Sequence, residues 1–365
     1  MSKIVKTNNI KKSQKIIEDR KKEAIDITLK DNVQSQFSGM FEYVHIFHNA
    51  LPEINMDEID TTCSFLERKF SSPILIDCMT GGTNAAYKIN SRLAEAACEF
   101  DLPLGIGSQR AGLKSKSMAK TYSIMRKKAP DAFIMGNIGG AQLAEGLDLP
   151  QIRNIIEMID ANALAIHLNP LQELIQPEGE PNFRGVLKKI KEISQDIGIP
   201  IIVKEVGSGI SADVAKRLER NGVSAINVSG LGGTSWAGVE KIRAQKVQSK
   251  TKSHLGTLFW NWGIPTAASL INAKKSIKLP LISSGGLRNG LDVAKSLVLG
   301  ATLCGFAHPM LTHSAKSYSS LQNYIETLNI ELRSTMFLLG CKNIQQLSNT
   351  KYVISEPLRT WTSLK

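Results

Sequence analysis

Short runs of apolar residues recur along the chain, and each ends in a polar or glycine-rich turn. Eight of these runs have the length of buried strands, and they occupy residues 74–78, 103–106, 132–137, 164–168, 200–204, 225–228, 281–283 and 303–306. Helical periodicity marks the segments between them, for example residues 85–99, 151–159, 183–197 and 211–221. This alternation predicts an α/β protein in which eight parallel strands close into a TIM (β/α)8 barrel covered by helices.

An open, doubly wound sheet is the rival architecture. Its nucleotide-binding form would show an early G-x-G-x-x-G motif with an acidic residue about twenty positions later, and no such unit occurs in the sequence. Glycines instead follow strands 1, 3, 5, 6, 7 and 8. In a barrel those turns lie on one face, which is the face that carries the active sites of barrel enzymes.

The domain organisation follows from where the strand and helix alternation begins. Residues 1–70 lack it, and residues 10–22 show basic helical spacing, so we predict an N-terminal arm packed on the barrel. Residues 71–365 are predicted to form the barrel, with an insertion between strands 6 and 7 and helices at the C-terminal end. A length of 365 residues suits one structural domain of this type.

The last two strands frame a candidate phosphate site. The segment LPLISSGGLRNG ends a strand pattern, places Gly285 and Gly286 in the turn, and leads into helical spacing at residues 289–299. The first amides of a helix and its positive dipole end favour an anion. This position matches the phosphate site that follows strands 7 and 8 of many barrels.

Composition excludes disordered and fibrous proteins, and the charge pattern argues against a nucleic-acid-binding protein. A hydrophobic share of 42% and a charged share of 21% are ordinary for a globular protein. The net charge of +12 is spread thinly, without interleaved aromatic residues, so no nucleic-acid partner is expected. A positive surface would nevertheless attract anionic small molecules such as diphosphates.

The cysteines and the terminal segments bear on location. Five cysteines form no close pair and no metal-ligand spacing, which suits a reducing compartment. The sequence shows neither the apolar stretch of a signal peptide nor a run long enough to cross a membrane. We therefore expect a cytoplasmic protein without a membrane partner.

One lysine stands out among the strand ends. Lys204 ends the fifth strand pattern, where a charge is costly unless a counter-charge or ligand is present. It could form a Schiff base with a carbonyl substrate, donate to the N1 and O2 edge of a flavin, or pair with Glu205 or another barrel carboxylate. Asn137, Ser108 and Thr80 at other strand ends favour the flavin, because they supply neutral hydrogen bonds.

Taken together, the strand-end motifs resemble one family. RKK near the N-terminus is followed by MTGG, GSQR, GNIGG, HLNPLQE, KEVG, SGLGGTSW and SGGLRNG, and this order is similar to that of type 2 isopentenyl diphosphate isomerase. The resemblance implies an FMN enzyme that interconverts isopentenyl and dimethylallyl diphosphate in isoprenoid biosynthesis. It also implies Mg2+, a reductant such as NADPH, and a homo-oligomer, either a tetramer or an octamer.

The resemblance carries over to individual residues. The positions that match the family's FMN contacts are Met79, Thr80, Ser108, Asn137, Lys204, Ser229, Thr234, Gly285, Gly286, Arg288 and Ala307. Those that match its substrate contacts are Arg20, Lys21, Ser108, Gln109, Arg110, His167, Asn169 and Gln172. Glu173 matches the Mg2+ ligand.

The chemistry implied by the resemblance is proton addition and removal at an alkene. No cluster of strong side-chain acids is expected near the hydrocarbon, so acid and base work is assigned to N5 of reduced FMN, with Gln172 positioning or relaying a proton. One position departs from the family pattern RKxEH, because Ala24 stands where that pattern has a histidine.

Other enzymes on this barrel remain alternatives. One is an FMN-dependent oxidoreductase acting on a phosphorylated or small hydroxy-acid substrate. A 2-hydroxy-acid oxidase would need a histidine and arginine pair near the turns after strands 6 and 7, and the turn SSGGLRNG has no histidine. An enzyme like IMP dehydrogenase needs a cysteine nucleophile after strand 6, and SGLGGTSW has none. A Schiff-base aldolase would use Lys204 without a flavin. The choice between NADPH and NADH is left open by the sequence.

Overall fold

A closed ring of eight parallel strands forms the centre of the protein. The computed structural model describes residues 18–363. The strands are β1 (Ile74–Ile76), β2 (Leu104–Gly105), β3 (Ile134–Gly139), β4 (Ala163–Leu168), β5 (Ile201–Glu205), β6 (Ala225–Asn227), β7 (Leu281–Ser284) and β8 (Leu303–Phe306). β8 pairs with β1 and closes the barrel. The predicted barrel is confirmed, and every predicted strand overlaps an observed one.

Helices cover the outside of the ring. Residues 18–30 are helical, and the other α-helices are Asn84–Glu99, Lys116–Lys128, Gly140–Ala144, Leu149–Glu157, Pro170–Ile175, Val186–Asp196, Ala212–Glu219, Trp236–Lys246, Lys250–Leu258, Thr266–Ser276, Gly290–Val298, His308–Lys316, Tyr318–Leu339, Ile344–Ser348 and Leu358–Thr362. The helix predicted at residues 183–197 begins only at Val186, because Gly185 before it has a φ of 79°. Of the described helices, none is both long and apolar enough to cross a bilayer.

The barrel interior is filled at the N-terminal ends of the strands. Alternate strand residues point inward, so Leu75 belongs to the inner cluster while Ile74 and Ile76 pack against the outer helices. A hairpin of Cys63–Phe65 and Arg68–Phe70 places Phe65 and Phe70 in that inner cluster. Both rings pack edge to face on Phe133, which precedes β3. The strands' carboxyl ends are thereby left as the open end of the barrel.

The N-terminal segment lies across that open end. The helix at residues 18–30 continues well beyond the predicted end at residue 22, because Ile25 and Ile27 are buried. Residues 10–17 of the predicted helix lie outside the described residues. Val33 and Ser35 exchange backbone hydrogen bonds of 2.7 Å with the loop after β6. The division at residue 70 between an arm and a barrel domain stays a prediction.

The predicted insertion lies between β6 and β7. It consists of the helices Trp236–Lys246, Lys250–Leu258 and Thr266–Ser276. Val239 of the first of these helices packs against Ile27 and Val33 of the N-terminal segment. At the other end of the chain, the strand Tyr352–Ile354 pairs antiparallel with Val44–Ile46. The helix at residues 18–30 is therefore held at the open end of the barrel by the insertion.

Candidate active site

A cavity of about 320 Å3 opens at the carboxyl ends of the barrel strands. Its wall includes residues that follow all eight strands together with the helix at residues 18–30. This volume lies in the range of small-molecule sites. The position is the one at which barrel enzymes bind their ligands.

The floor of the cavity holds a buried ion pair. Lys204 Nζ lies 3.9 Å from Asp77 Oδ1, and the two side chains are 7% and 4% exposed. The lysine also donates a 2.9 Å hydrogen bond to the Glu205 carbonyl oxygen. The counter-charge of Lys204 is therefore a barrel carboxylate, but it belongs to Asp77 and not to the neighbouring Glu205.

The side chain of Glu205 is hydrogen-bonded to the backbone of the turn after β5. Its carboxylate Oε2 accepts the backbone amides of Val206, Gly207 and Ser208 at 2.6, 2.6 and 2.5 Å. Burial raises the pKa of this carboxyl to about 7, although the three amides and Lys204 favour its charged form. Glu205 thus fixes the turn after β5.

The turn after β7 is shaped by two glycines. Gly285 and Gly286 have φ values of 99° and 84°, which favour glycine. A methyl group at Gly285 would lie 2.1 Å from the Gly230 carbonyl oxygen, and one at Gly286 would lie 2.4 Å from that of Gly232. The Asn289 side chain then caps the helix Gly290–Val298. These two positions admit only glycine, because the turn packs closely against the backbone of the loop after β6.

Histidine 167 is held neutral on the wall formed by β3 and β4. Its Nδ1 donates to Asn137 Oδ1 at 2.7 Å, because an amide oxygen can only accept. Burial, followed by the charges of Lys204, Lys21 and Arg20, lowers the pKa of His167 to about 3. The imidazole is therefore a neutral hydrogen-bonding group throughout the physiological pH range.

Two buried polar atoms on the cavity wall have no partner within the described residues. They are Ser108 Oγ and Asn169 Oδ1. A buried polar atom without a hydrogen bond costs free energy, and native proteins rarely leave one unpaired. Both atoms are available to a polar ligand in the cavity.

Cations collect on the side of the cavity next to the helix at residues 18–30. Lys21 Nζ donates to the Ser108 carbonyl oxygen at 2.8 Å and to Tyr122 Oη at 2.5 Å. Burial, with a smaller contribution from Arg20, lowers the pKa of Lys21 to about 7. Arg110 pairs with Glu145 at 2.7 Å, and Arg20 lies 4.0 Å from Glu178. These three cations lie on one wall of the cavity.

A short helix after β4 presents an amide and a carboxylate. Asn169 Nδ2 donates to Gln172 Oε1 and to Glu173 Oε1, each at 3.1 Å. Glu173 Oε2 also accepts the Glu180 backbone amide at 3.2 Å. Gln172 Nε2 donates to Glu240 Oε1 at 3.0 Å. The side chains of Gln172 and Glu173 are therefore oriented before any ligand binds.

Five glutamates line the cavity, and the expectation that no cluster of strong side-chain acids lies near the hydrocarbon stays a prediction. They are Glu145, Glu173, Glu178, Glu180 and Glu240. Arg243 contacts two of them, with 2.6 Å to Glu178 and 2.6 Å to Glu240, and it lies 3.2 Å from Glu23. Spacing alone could not show the contact with Glu178, because Glu178 follows β4 whereas Arg243 lies in a helix after β6.

Nearly all the residues predicted for the site line this one cavity. They are Arg20, Lys21, Met79, Thr80, Ser108, Arg110, Asn137, His167, Asn169, Gln172, Glu173, Lys204, Ser229, Thr234, Gly285, Gly286, Arg288 and Ala307. Ala24, the departure from the family pattern, lines it too. The geometry brings these residues together but does not test their individual roles.

Gln109 is the exception. Its side chain is fully buried behind the wall, where Nε2 donates to the Ile155 carbonyl oxygen at 2.9 Å and Oε1 accepts the Asn137 amide at 3.0 Å. Direct substrate contact is therefore not what this geometry supports. Gln109 instead fixes the backbone of Asn137.

Sequence reasoning missed several charged residues of the site, among them Asp77, Glu240 and Arg243. Asp77 immediately precedes the MTGG-containing turn, and a charge at the end of an apolar strand was an available signal. Glu240 and Arg243 lie three residues apart on the helix Trp236–Lys246, a spacing typical of ordinary surface pairs. No sequence signal marked these two as buried.

Comparisons with known proteins agree with this geometry. The family model described as FMN-dependent dehydrogenase matches residues 146–354, so the barrel is of the FMN-dependent dehydrogenase class. Solved structures of a Pediococcus acidilactici lactate oxidase and a flavocytochrome b2 variant share the fold, with TM-scores of 0.63 and 0.64 at 16% identity. The alignments cover 95% and 94% of this chain and 94% and 85% of theirs.

Closer relatives identify the family. Isopentenyl-diphosphate delta-isomerases of Thermococcus onnurineus and Pyrococcus furiosus are 45% and 44% identical to this chain, covering 94% of it and 92% and 88% of themselves. That of Methanothermobacter thermautotrophicus is 42% identical, covering 95% of this chain and 96% of itself. The chain belongs to the isopentenyl-diphosphate delta-isomerase family, which confirms the resemblance and favours an isomerase over a hydroxy-acid oxidoreductase.

Proposed function

We propose that the protein is an isomerase that interconverts isopentenyl diphosphate and dimethylallyl diphosphate in isoprenoid biosynthesis, with FMN bound in the barrel. One observation carries the proposal: the cavity has two separate walls suited to an anion. The glycine turn after β7 forms one, and Arg20, Lys21 and Arg110 form the other. A phosphate-tailed cofactor and a diphosphate substrate need two such walls.

FMN would bind over the strand ends. The Gly285 and Gly286 backbone, Arg288 and Ala307 would hold its phosphate, as expected for the turns after β7 and β8. Lys204 and Asn137 would face the polar edge of the flavin ring, while Met79, Thr80, Ser108, Ser229 and Thr234 would complete the contacts. Ser108 Oγ, which has no hydrogen-bond partner within residues 18–363, supports this fit.

The substrate diphosphate would bind to the cationic wall. Charge-assisted hydrogen bonds from Arg20, Lys21 and Arg110 would hold it, with His167 and Asn169 as neutral partners. Glu173 would hold Mg2+. Within residues 18–363 no group of three or more metal-binding side chains is present, so phosphate oxygens and water would supply the other ligands, as Mg2+ usually requires.

The reaction adds one proton to an alkene carbon and removes another, so it leaves the substrate's oxidation state unchanged. When bound in its reduced form, FMN would supply a proton donor and acceptor at N5. Gln172 would position the substrate or relay a proton through its amide, because Asn169 and Glu240 fix both ends of that amide. The burial of Glu240 raises its pKa, so its carboxyl holds a proton more readily than an exposed one does.

Three further features belong to the proposal. A reductant such as NADPH would bring FMN to its reduced form. The protein would act as a homo-oligomer, a tetramer or an octamer, without a nucleic-acid partner. It would work in the cytoplasm, and the five free cysteines support a reducing compartment.

An anaerobic isomerase assay tests the proposal. FMN, NADPH and Mg2+ are each omitted in turn, and the conversion of isopentenyl diphosphate into dimethylallyl diphosphate is measured. We expect activity only when FMN is present and reduced, and a large loss without Mg2+. Turnover without FMN would contradict the proposed chemistry. In a separate assay in air, formation of hydrogen peroxide from O2 during oxidation of a 2-hydroxy acid would favour the oxidoreductase instead.

A second measurement isolates the flavin position. With 5-deazaFMN in place of FMN, we expect turnover to be nearly abolished while the dissociation constant of the diphosphate is unchanged. Full activity with 5-deazaFMN would defeat the assignment of proton transfer to N5.

A further inference from the structure

The ion pair on the cavity floor connects opposite sides of the barrel. Asp77 follows β1 and Lys204 lies in β5, and these strands are four positions apart in the ring of eight. Their charged atoms are nevertheless only 3.9 Å apart. Both side chains line the cavity. The pair therefore lies across the centre of the floor, where its charges act on any ring that stacks over the barrel.

The carboxylate of Asp77 is held by a network of its own. Its Oδ1 accepts the Cys78 amide at 2.7 Å, and its Oδ2 accepts Asn227 Nδ2 at 3.0 Å. Asn227 Oδ1 in turn accepts the Ser284 hydroxyl at 2.7 Å and the Ser229 amide at 3.2 Å. Asp77 is thus fixed from β1, β6 and β7, and it cannot turn away when a ligand arrives.

Lys204 is less fully engaged. An ammonium group has three donors, and the Glu205 carbonyl oxygen takes one of them at 2.9 Å. The 3.9 Å distance to Asp77 is an ion-pair contact rather than a hydrogen bond. The lysine can therefore donate to a ligand above it while the Asp77 charge still acts on it.

We propose that Asp77 is a positioning residue that holds Lys204 under the flavin ring and offsets part of its positive charge, so that the two residues together set the reduction potential of FMN. This inference rests on the proposed FMN site. Reduced FMN carries more negative charge than oxidised FMN, so a positive floor favours the reduced form and a compensated floor favours it less. In the poorly solvated floor such charges act strongly on each other.

The first test is Asp77→Asn in the holoenzyme, with the midpoint potential measured by anaerobic dye-coupled titration. We expect a positive shift, because Lys204 loses its counter-charge. A tenfold change in the ratio of the dissociation constants for oxidised and reduced FMN corresponds to about 30 mV. A shift of this order supports the proposal, and an unchanged or more negative potential overturns it.

The second test asks whether Asp77 acts through Lys204. Lys204→Met should shift the midpoint potential in the negative direction. In that background a buried carboxylate without a cation takes up a proton, so adding Asp77→Asn should change the potential little. Additive shifts in the double variant would overturn the role through Lys204.

Glu205→Gln is the matched control, because Glu205 is the other buried carboxylate near Lys204. Its charge is taken up by the three amides of the β5 turn, so we expect a smaller shift than in Asp77→Asn. A larger shift would assign the counter-charge to Glu205 and overturn the proposal.

Folding and the proposed function need separate readouts. Asp77→Ser serves as the second variant if Asp77→Asn does not fold, since its hydroxyl can still accept a hydrogen bond, and the same positive shift is expected. Binding of FMN to the wild-type protein is measured first by quenching of flavin fluorescence. Absence of binding would overturn the FMN site itself, whereas normal binding with an unmoved potential would overturn only the role of Asp77.

Discussion

The Gln172 side chain joins two helices of the site, because its Nε2 donates a 3.0 Å hydrogen bond to Glu240 Oε1. Gln172 belongs to the helix Pro170–Ile175, and Glu240 belongs to the helix Trp236–Lys246. Glu240 is nearly fully buried, and its second oxygen lies 2.6 Å from Arg243. The amide is therefore held by a charged group that is itself fixed.

Gln172→Ala should lower kcat far more than it changes FMN binding. Loss of a group that positions or relays a proton costs about 10²–10⁴-fold in rate, whereas none of the proposed FMN contacts is removed. Gln142→Ala is the control, because Gln142 also carries an amide on the cavity wall, and its kcat should stay near that of the wild type. Retained kcat in Gln172→Ala, or equal losses in both variants, would contradict the role given to Gln172.

Arg243→Met should destabilise the fold strongly. Arg243 is 7% exposed and is contacted by Glu23, Glu178 and Glu240. Removing one partner of a buried ion pair typically costs about 3–5 kcal/mol, because the remaining charge stays buried. The free energy of unfolding, measured by urea denaturation of the FMN-free protein, checks this prediction.

Arg110→Met provides the comparison for that measurement. Arg110 and Glu145 are 39% and 25% exposed, so their pair is partly solvated. Such pairs contribute about 0–1 kcal/mol. Equal destabilisation by the two variants would show that burial of Arg243 does not govern its contribution.

Ser108→Ala should weaken ligand binding without destabilising the ligand-free protein. The Ser108 hydroxyl is buried and has no partner among residues 18–363, so its removal leaves none of their groups unpaired. A hydrogen bond to a ligand is worth about 0.5–1.5 kcal/mol, which is about a 2- to 12-fold change in dissociation constant. Fluorescence titration with FMN, and with the diphosphate, measures the change.

Ser72→Ala is a closely matched control. Ser72 Oγ is also buried and unpartnered within the described residues, but it does not line the cavity. Both variants should have similar free energies of unfolding, and only Ser108→Ala should bind ligands more weakly. Unchanged affinity for both ligands in Ser108→Ala would remove Ser108 from the site.

The barrel could be predicted because its signals are local. A strand that is buried on both faces must be apolar, and the turn after β7 must contain glycine where φ is positive, so Gly285 and Gly286 are visible in the sequence itself. The cap at Asn289 likewise lies next to the helix that it begins. These features require no knowledge of distant parts of the chain.

The charged network could not be predicted in the same way. Asp77 and Lys204 are separated by more than a hundred residues, and only closure of the barrel brings their charges to 3.9 Å. Gln109 shows the opposite case, since its position within GSQR suggested a ligand contact while its side chain turns into the wall. A motif gives the residue types at a strand end, but the direction of each side chain depends on packing.

The pH dependence of substrate capture should follow Lys21. Its pKa is lowered to about 7 by burial, and then by Arg20, so the free protein loses this positive charge as the pH rises above about 7. The second ionisation of a phosphate group lies near pH 6, so the substrate's own charge changes little in this range. We therefore expect kcat/KM to fall above pH 7, with up to about a tenfold loss per pH unit.

Lys21→Arg should flatten that limb of the profile, because a guanidinium remains charged throughout the range. In the wild-type protein, the contribution of Lys21 to the free energy of unfolding should change in the opposite direction to kcat/KM as the pH rises. The folded-state pKa of Lys21 lies below the ordinary lysine value of 10.5, so the unfolded chain binds more protons between pH 7 and 10.5. The lysine's contribution to the free energy of unfolding therefore rises with pH. A kcat/KM profile that is the same in Lys21→Arg and in the wild type would rule out Lys21 as the titrating group.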